Sequence, residues 1–476
     1  MPKAGQRSSG AIWAISTAGR GSASWRSRNR SRQGIDTRDG ATTTAAPHSG
    51  RILSMRDFTR LNQPQLLWAS EITKLGLQLT TIYVLARVIG PVTMGLYLAT
   101  TAFLFILPRM LDAGLPQAAA YFLRAEQVDP RHLMRLLMRH ILFGAPFAYA
   151  LVFLLGLLPG DEAKNAFSVH TVLLGTYVVT ELTTLLIGSL FVPSGRFISY
   201  ATTNLVAPTL NLAGVVTYPL WAGKPALAPV LALLAISSAV GAMSTLAVFR
   251  AGQGEGGRKI DPREYYGYGL RSWGSSFAKV LSMRFDRIVL TALLTPALFS
   301  QYSLAVSIRD ILVLPSNLFA ATLRNTQTDL IVKHHDLDAA RHLLRRTAAV
   351  WLLFGIAAAT ILAPFWPAFI KVALGARYAD TALFLQGMAF SCAPLSIIGI
   401  CVNHLYALYQ PGKVTLLSCI ALVVTPTVFF VCTYLFGMRE GALIGALVCS
   451  ALVGVLNFVV GIRIGPAPRR EKATAA

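Results

Sequence analysis

Charge is scarce in this chain, and acidic charge most of all: 13% of the 476 residues are charged, and Asp and Glu total 21 against 43 Lys and Arg. So little charge, beside 54% hydrophobic residues and a mean hydropathy of +0.55, excludes a string of soluble domains and indicates a polytopic membrane protein. In a soluble protein a net charge of +22 would suggest nucleic acid. In a membrane protein basic cytoplasmic loops account for it, so no nucleic-acid partner is expected. Cysteine is also sparse. Cys392, Cys401, Cys419, Cys432 and Cys449 lie in the last three apolar segments without a CxxC pair, and read as small core residues, not as disulfides or metal ligands. The chain lacks a P-loop, HExxH, GxSxG or clustered carboxylate pair, and its outer loops are too short for a catalytic domain. An enzyme is therefore disfavoured, and neither cofactor nor metal is expected.

Long apolar runs are abundant, and the first sets the pattern. Residues 66–126 form two segments of membrane-spanning length joined at Gly90-Pro91, since a bilayer core takes about 20 mostly apolar residues per helix. In the first segment Glu71, Lys74, Gln78 and Thr81 share one helix face. The second carries Arg109 and Asp112 at i, i+3. A polar stripe within a membrane must face protein or water, so the pair is expected to line a wet interior.

Twelve spans are predicted, at 66–89, 93–117, 133–158, 167–192, 197–221, 226–249, 268–294, 299–323, 347–370, 381–409, 414–436 and 441–463. The fold class is thus all-α. Residues 1–54, rich in Ser, Arg, Thr and Gly, are expected to be a disordered basic tail. Loops on the side of that tail hold 20 Lys and Arg, the tail itself not counted, against five (Lys164, Lys224, Lys371, Arg377 and Arg439) on the other. This bias puts both termini in the cytoplasm of a cell whose inner membrane the chain would cross.

The Gly-rich charged loop 251–264 divides the spans six and six, giving lobes at 55–250 and 265–464 and a short cytoplasmic tail at 465–476. The second half echoes the first. Pro91 and Tyr97 recur as Pro296 and Tyr302, Arg131-His132-Leu133 as Arg341-His342-Leu343, and Pro208 as Pro426. Six spans per half keeps the halves in the same orientation, an internal parallel repeat with a binding cavity between two lobes.

Ionisable groups inside spans are costly and are functional candidates for that reason. Lys74, Arg87, Arg109, Lys279, Arg284, Arg287 and Arg309 stand against Glu71, Asp112, Glu181, Asp286 and Asp310, seven cations to five carboxylates. A net positive interior favours an anionic head group such as phosphate or pyrophosphate. Plainer readings stand beside this one. Glu71–Lys74 and Arg109–Asp112 fit neutralising intrahelical pairs. Arg87, Asp286 and Arg287 fit snorkelling at the outer ends of helices. Glu181 fits a packing bond to a neighbouring helix, His404 a core histidine, and His334-His335 a solvated loop. Segments 130–140 and 336–346 read as basic amphipathic helix starts facing anionic lipid, with Asp129 capping and Pro130 in the first turn.

The stretches VLARVIGPVTMGLYLATTAF with LDAGLPQAAAYFL, and FDRIVLTALLTPALFSQYSLAVSIRDILVLPSNLFAATL, resemble the first hairpin and the seventh and eighth helices of the polysaccharide-biosynthesis flippases. That family sits in the superfamily of multidrug-and-toxin extruders and the lipid II flippase. The resemblance covers about residues 60–465. The chain departs from the pattern at Thr295 and Ser300, where glycine is common, and at Arg324, where proline is. The resemblance implies movement of a polyprenyl-pyrophosphate-linked oligosaccharide across the membrane by alternating access, for O-antigen, capsule or exopolysaccharide synthesis. Membrane lipids, and a polysaccharide polymerase with its chain-length machinery, are the partners it suggests. On it, head-group binding is assigned to Lys74, Arg109, Lys279, Arg284 and Arg309, and coupling or cavity roles to Glu71, Asp112, Glu181, Asp286 and Asp310. The alternatives are a small-molecule exporter on the same fold and a non-transporting membrane partner of a polysaccharide synthase.

Overall fold

A computed structural model describes residues 63–125, 127–157, 169–221, 226–251, 257–332, 336–408 and 410–465. The expected tail at 1–54, most of the C-terminal tail, His334-His335 and residues 252–256 of the predicted linker lie outside these ranges.

The helices, in chain order, are α1 (Gln63–Leu111), α2 (Leu115–Ala125), α3 (Pro130–Leu157), α4 (Thr171–Gly188), α5 (Phe197–Trp221), α6 (Leu227–Ala251), α7 (Pro262–Leu293) and α8 (Pro296–Val332). They continue as α9 (Leu337–Leu362), α10 (Trp366–Ala373), α11 (Ala379–Met388), α12 (Cys392–Ala407), α13 (Pro411–Phe436) and α14 (Met438–Arg463). No strand occurs among the described residues, only an isolated bridge between Val128 and Arg258. Apolar surroundings leave backbone groups no water to bond, so a chain this greasy satisfies them within helices.

Nine helical stretches among the described residues are long and apolar enough to cross a membrane. The first of them contains two crossings, because Gly90 (φ 76°, ψ 169°) interrupts α1 at the predicted hairpin. Helices α5 and α7, of 25 and 32 residues, complete the predicted twelve, although they are too polar to qualify by composition. In α7 the shortfall is the row of charges between Lys279 and Arg287. Several boundaries shift from expectation: α7 begins at Pro262, α8 runs on to Val332, α9 spans Leu337–Leu362 and α4 shortens to Thr171–Gly188. The second crossing stops at Leu111, where Asp112 turns the chain into a separate α2, and the tenth is assembled from α11, a 3-10 turn at Ala389–Ser391 and α12. The expected cap forms at α3, with the Arg131 amide donating to Asp129 Oδ1 at 2.9 Å.

The duplication is visible in which helices pack together. In the first half α1 packs on α5, α3 on α4, α4 on α6 and α5 on α6. In the second half α7 packs on α13, α9 on α12, α12 on α14 and α13 on α14, the same scheme in the same order. The halves meet where the second crossing of α1 runs along its repeat counterpart α8. Gly95 makes this approach possible: a β-carbon there would lie 1.8 Å from the Pro296 carbonyl oxygen. A second close passage joins the α1–α2 turn to α7, where a β-carbon on Gly114 would lie 2.1 Å from the Gly269 carbonyl oxygen. Four of the five cysteines are buried and Cys419 is exposed, all as free thiols.

Candidate functional site

Helices α7 and α8 bring the densest charge together. Asp310 on α8 accepts from Arg309 Nη2 at 3.0 Å on one carboxylate oxygen, and from Arg287 Nη2 at 3.0 Å and Arg284 Nη1 at 3.5 Å on the other. Three guanidinium groups thus share one carboxylate. Asp286 completes the cluster, accepting from the Tyr302 hydroxyl at 3.1 Å and from the Arg287 amide at 2.8 Å. The balance is three cations to two carboxylates. The Nε atoms of Arg287 and Arg309 are buried without a hydrogen-bond partner among the described residues. These positions correct the snorkelling reading of Asp286 and Arg287, since the Arg287 side chain is 13% exposed and locked to α8. An inward-facing carboxylate draws it in; isolated at a helix end it would have reached for water.

Arg284 also crosses the boundary between the halves, its guanidinium lying 4.8 Å from the centre of the Phe105 ring on α1. Phe105 precedes Asp310 by 205 positions, the offset that relates Pro91 to Pro296. Where one half presents a carboxylate, the other presents an aromatic face.

In the first half Lys74 and Glu71 do not form the intrahelical pair of the plainer reading. Lys74 Nζ donates to Asn204 Oδ1 at 2.9 Å, while Glu71 Oε1 accepts from Asn204 Nδ2 at 2.9 Å and from the Tyr200 hydroxyl at 2.8 Å. Asn204 is therefore wedged between them, tying α1 to α5. Arg109 and Asp112 do form a pair, at 4.0 Å, and the buried Asp112 also accepts from the Gly114 amide at 2.8 Å. That carboxylate serves the turn after α1. Glu181 accepts from Ser238 on α6 at 3.1 Å, the packing bond that was the alternative for it. His404 is fully buried on α12.

Arg87 belongs elsewhere. It is exposed at the far end of the bundle and donates to the carbonyl oxygens of Val372 and Ala373 at the end of α10, in the other half. Beside it the Tyr378 hydroxyl donates to the Ala86 carbonyl at 2.8 Å. At the opposite end the halves are joined through α7, with Trp273 Nε1 donating to the Arg109 carbonyl at 3.3 Å and Gln117 Nε2 to Ser276 Oγ at 2.8 Å.

Lys279 is the exception among the five residues expected to bind a head group. The other four have an anionic or amide partner; Lys279 has no carboxylate within ion-pair distance among the described residues. Its ammonium instead lies 6.0 Å from the centre of the Tyr406 ring, and the guanidinium of Arg324 lies 5.3 Å from that same ring. Sequence reasoning did not select Arg324 as a site residue, though it stands on the heptad row Ser303, Asp310, Asn317 and Arg324. That row was the available signal. Tyr406 had none, because its position depends on how α12 crosses α7 and α8.

The fold is shared with solved transporters. A multidrug-resistance MATE family transporter of the MOP superfamily, in an inward-facing conformation, superposes with TM-score 0.65 at 14% identity, covering 81% of this chain and 93% of that one. The lipid II flippase MurJ, inward closed, gives TM-score 0.60 at 14% identity, with coverage of 84% and 88%. A MOP superfamily transporter from Pyrococcus furiosus, described by the reversed polarity of its binding pocket, gives TM-score 0.59 at 14% identity, with coverage of 85% and 94%. No curated protein matches the sequence. The family model for polysaccharide biosynthesis proteins matches residues 65–324, a region spanning the Asn204 network, the Asp310 cluster and both cations beside Tyr406. With more than half of its length matched, the chain belongs to the polysaccharide biosynthesis protein family.

Proposed function

We propose that the protein is a flippase that carries a polyprenyl-pyrophosphate-linked oligosaccharide across the cell membrane by alternating access of its two lobes, 55–250 and 265–464. The observation that carries this reading is the sign of the polar interior. Lys74, Arg109, Lys279, Arg284, Arg287, Arg309 and Arg324 face Glu71, Asp112, Glu181, Asp286 and Asp310, seven cations to five carboxylates. Arg87, bonded to the α10 carbonyls, leaves the set, and Arg324, exposed but beside Lys279 at the Tyr406 ring, is counted at its mouth. A pyrophosphate diester crossing such a path meets charge-assisted donors, while its isoprenoid tail stays in hydrocarbon. Membership of the polysaccharide biosynthesis family supports the same substrate class. The excess of Lys and Arg in the loops on one side supports cytoplasmic termini, on which reading the head group enters at the end where Arg324 lies.

A strain lacking the protein tests this. Lipid-linked oligosaccharide is expected to accumulate in the cytoplasmic leaflet while surface polymer falls, and the wild-type gene should reverse both. Normal polymer without accumulation, in a strain with no second flippase, would sink the proposal. A small-molecule exporter is the second reading, on a fold that a MATE transporter shares. It predicts increased sensitivity of the deletion strain to toxic compounds with polymer unchanged.

A further inference from the structure

We propose that Lys279, Arg324 and Tyr406 form an anion-binding subsite that takes the phosphoryl groups of the substrate as the head group enters. The phosphoryl identity rests on the flippase reading; the anion site itself rests on geometry. The consecutive helices α7 and α8 and the remote α12 bring two cations to one aromatic ring, at 6.0 and 5.3 Å from its centre. The cations repel each other, and attraction to a ring face returns only about 0.5–2 kcal/mol each. Every other cation cluster in the interior has a carboxylate inside it, as Asp310 sits among its arginines and Asp112 beside Arg109. This pair has none among the described residues. A ligand bringing two negative charges turns the repulsion into a set of charge-assisted hydrogen bonds.

The placement gives the subsite a direction. Arg324 is exposed near the basic end of α8, while Lys279 is half-buried on α7. Along α8 the Asp310 cluster lies two heptads further in, about 21 Å at 1.5 Å per residue. Along α7, Arg284 follows Lys279 by five residues, about 7.5 Å. Phosphoryl groups held at Lys279 and Arg324 therefore have a second cationic station ahead of them, where Arg284 is held most loosely, at 3.5 Å from its carboxylate. Two charges on the ligand match two unpaired cations; a cationic drug would meet only repulsion.

The test is calorimetric titration of farnesyl pyrophosphate into the full-length protein in nanodiscs of zwitterionic phosphatidylcholine. Each lost charge-assisted contact is expected to weaken binding about tenfold, so Lys279→Gln with Arg324→Gln should weaken it about a hundredfold. The charge-preserving pair Lys279→Arg with Arg324→Lys should stay within a few-fold of wild type and shows that the site folds. Displacement of the probe by inorganic pyrophosphate supports phosphoryl recognition. Unchanged binding in the double Gln variant, equal binding of uncharged farnesol, or equally potent competition by phosphatidylglycerol would each overturn the proposal, the last assigning the site to bulk anionic lipid. If the wild type binds the probe and the double Gln variant does not, the subsite stands even where a deletion strain exports polymer normally, a result that would sink only the flippase reading.

Discussion

Gly95 and Pro296 bring the two halves of the duplication together backbone to backbone, with room for no side-chain carbon between them. Gly95→Ala must push α1 away from α8, at about 1–3 kcal/mol. Its counterpart 205 residues on, Ser300, donates to the Ala297 carbonyl one turn earlier, at 2.7 Å. Ser300→Ala is expected to cost under about 1 kcal/mol. Thermal unfolding followed by size exclusion in detergent should rank the two in that order. Equal melting of Gly95→Ala and wild type would show that the lobes do not close this tightly.

Asp310 holds three arginines, so Asp310→Asn leaves three buried or half-buried cations with one neutral amide between them. Removing one partner of a fully buried pair costs about 3–5 kcal/mol; the Asp310 side chain is 39% exposed, which lowers the cost, while more than one partner is stranded, which raises it. The expected outcome is a clear fall in melting temperature. Arg284→Gln removes the longest of the three contacts and is expected to be milder, at about 1 kcal/mol or less. Retention of wild-type melting by Asp310→Asn would contradict the cluster.

Arg87 and Tyr378 fasten the two halves at the end away from the basic loops. Without those bonds, Arg87→Ala with Tyr378→Phe should favour conformers open at that end. Spin labels at Val92 and Val372, exposed at 53% and 74%, report it once Cys419 has been replaced. Pulsed dipolar spectroscopy should show a longer-distance component in the double variant, whereas an unchanged distribution would mean that these contacts do not gate the opening.

Much of the fold was legible in the sequence because hydrophobic length and turn chemistry are local properties. The Gly90-Pro91 break, the Asp129 cap and the twelve crossings depend on residues within a few positions of each other. The repeat was legible for the same reason, since Pro296 and Tyr302 reproduce Pro91 and Tyr97. Charge partners were not, because they depend on which helices cross. Asp286 and Arg287 read as end-of-helix residues until α8 supplied Tyr302 and Asp310. Lys74 and Glu71 read as a pair until α5 inserted Asn204. Arg324 breaks the family pattern, yet its place on the heptad row with Asp310 puts it on the same face as the charged core.

The most direct measurement is flipping by the purified protein in proteoliposomes containing a polyprenyl-pyrophosphate-linked oligosaccharide with a fluorescent sugar, quenched from outside by a membrane-impermeant reductant. A flippase exposes the inner-leaflet pool, so quenching should run past the outer-leaflet fraction toward completion, and should slow in the Lys279→Gln, Arg324→Gln variant. Quenching that stops at the outer-leaflet fraction, as in protein-free vesicles, would contradict transport of this substrate class.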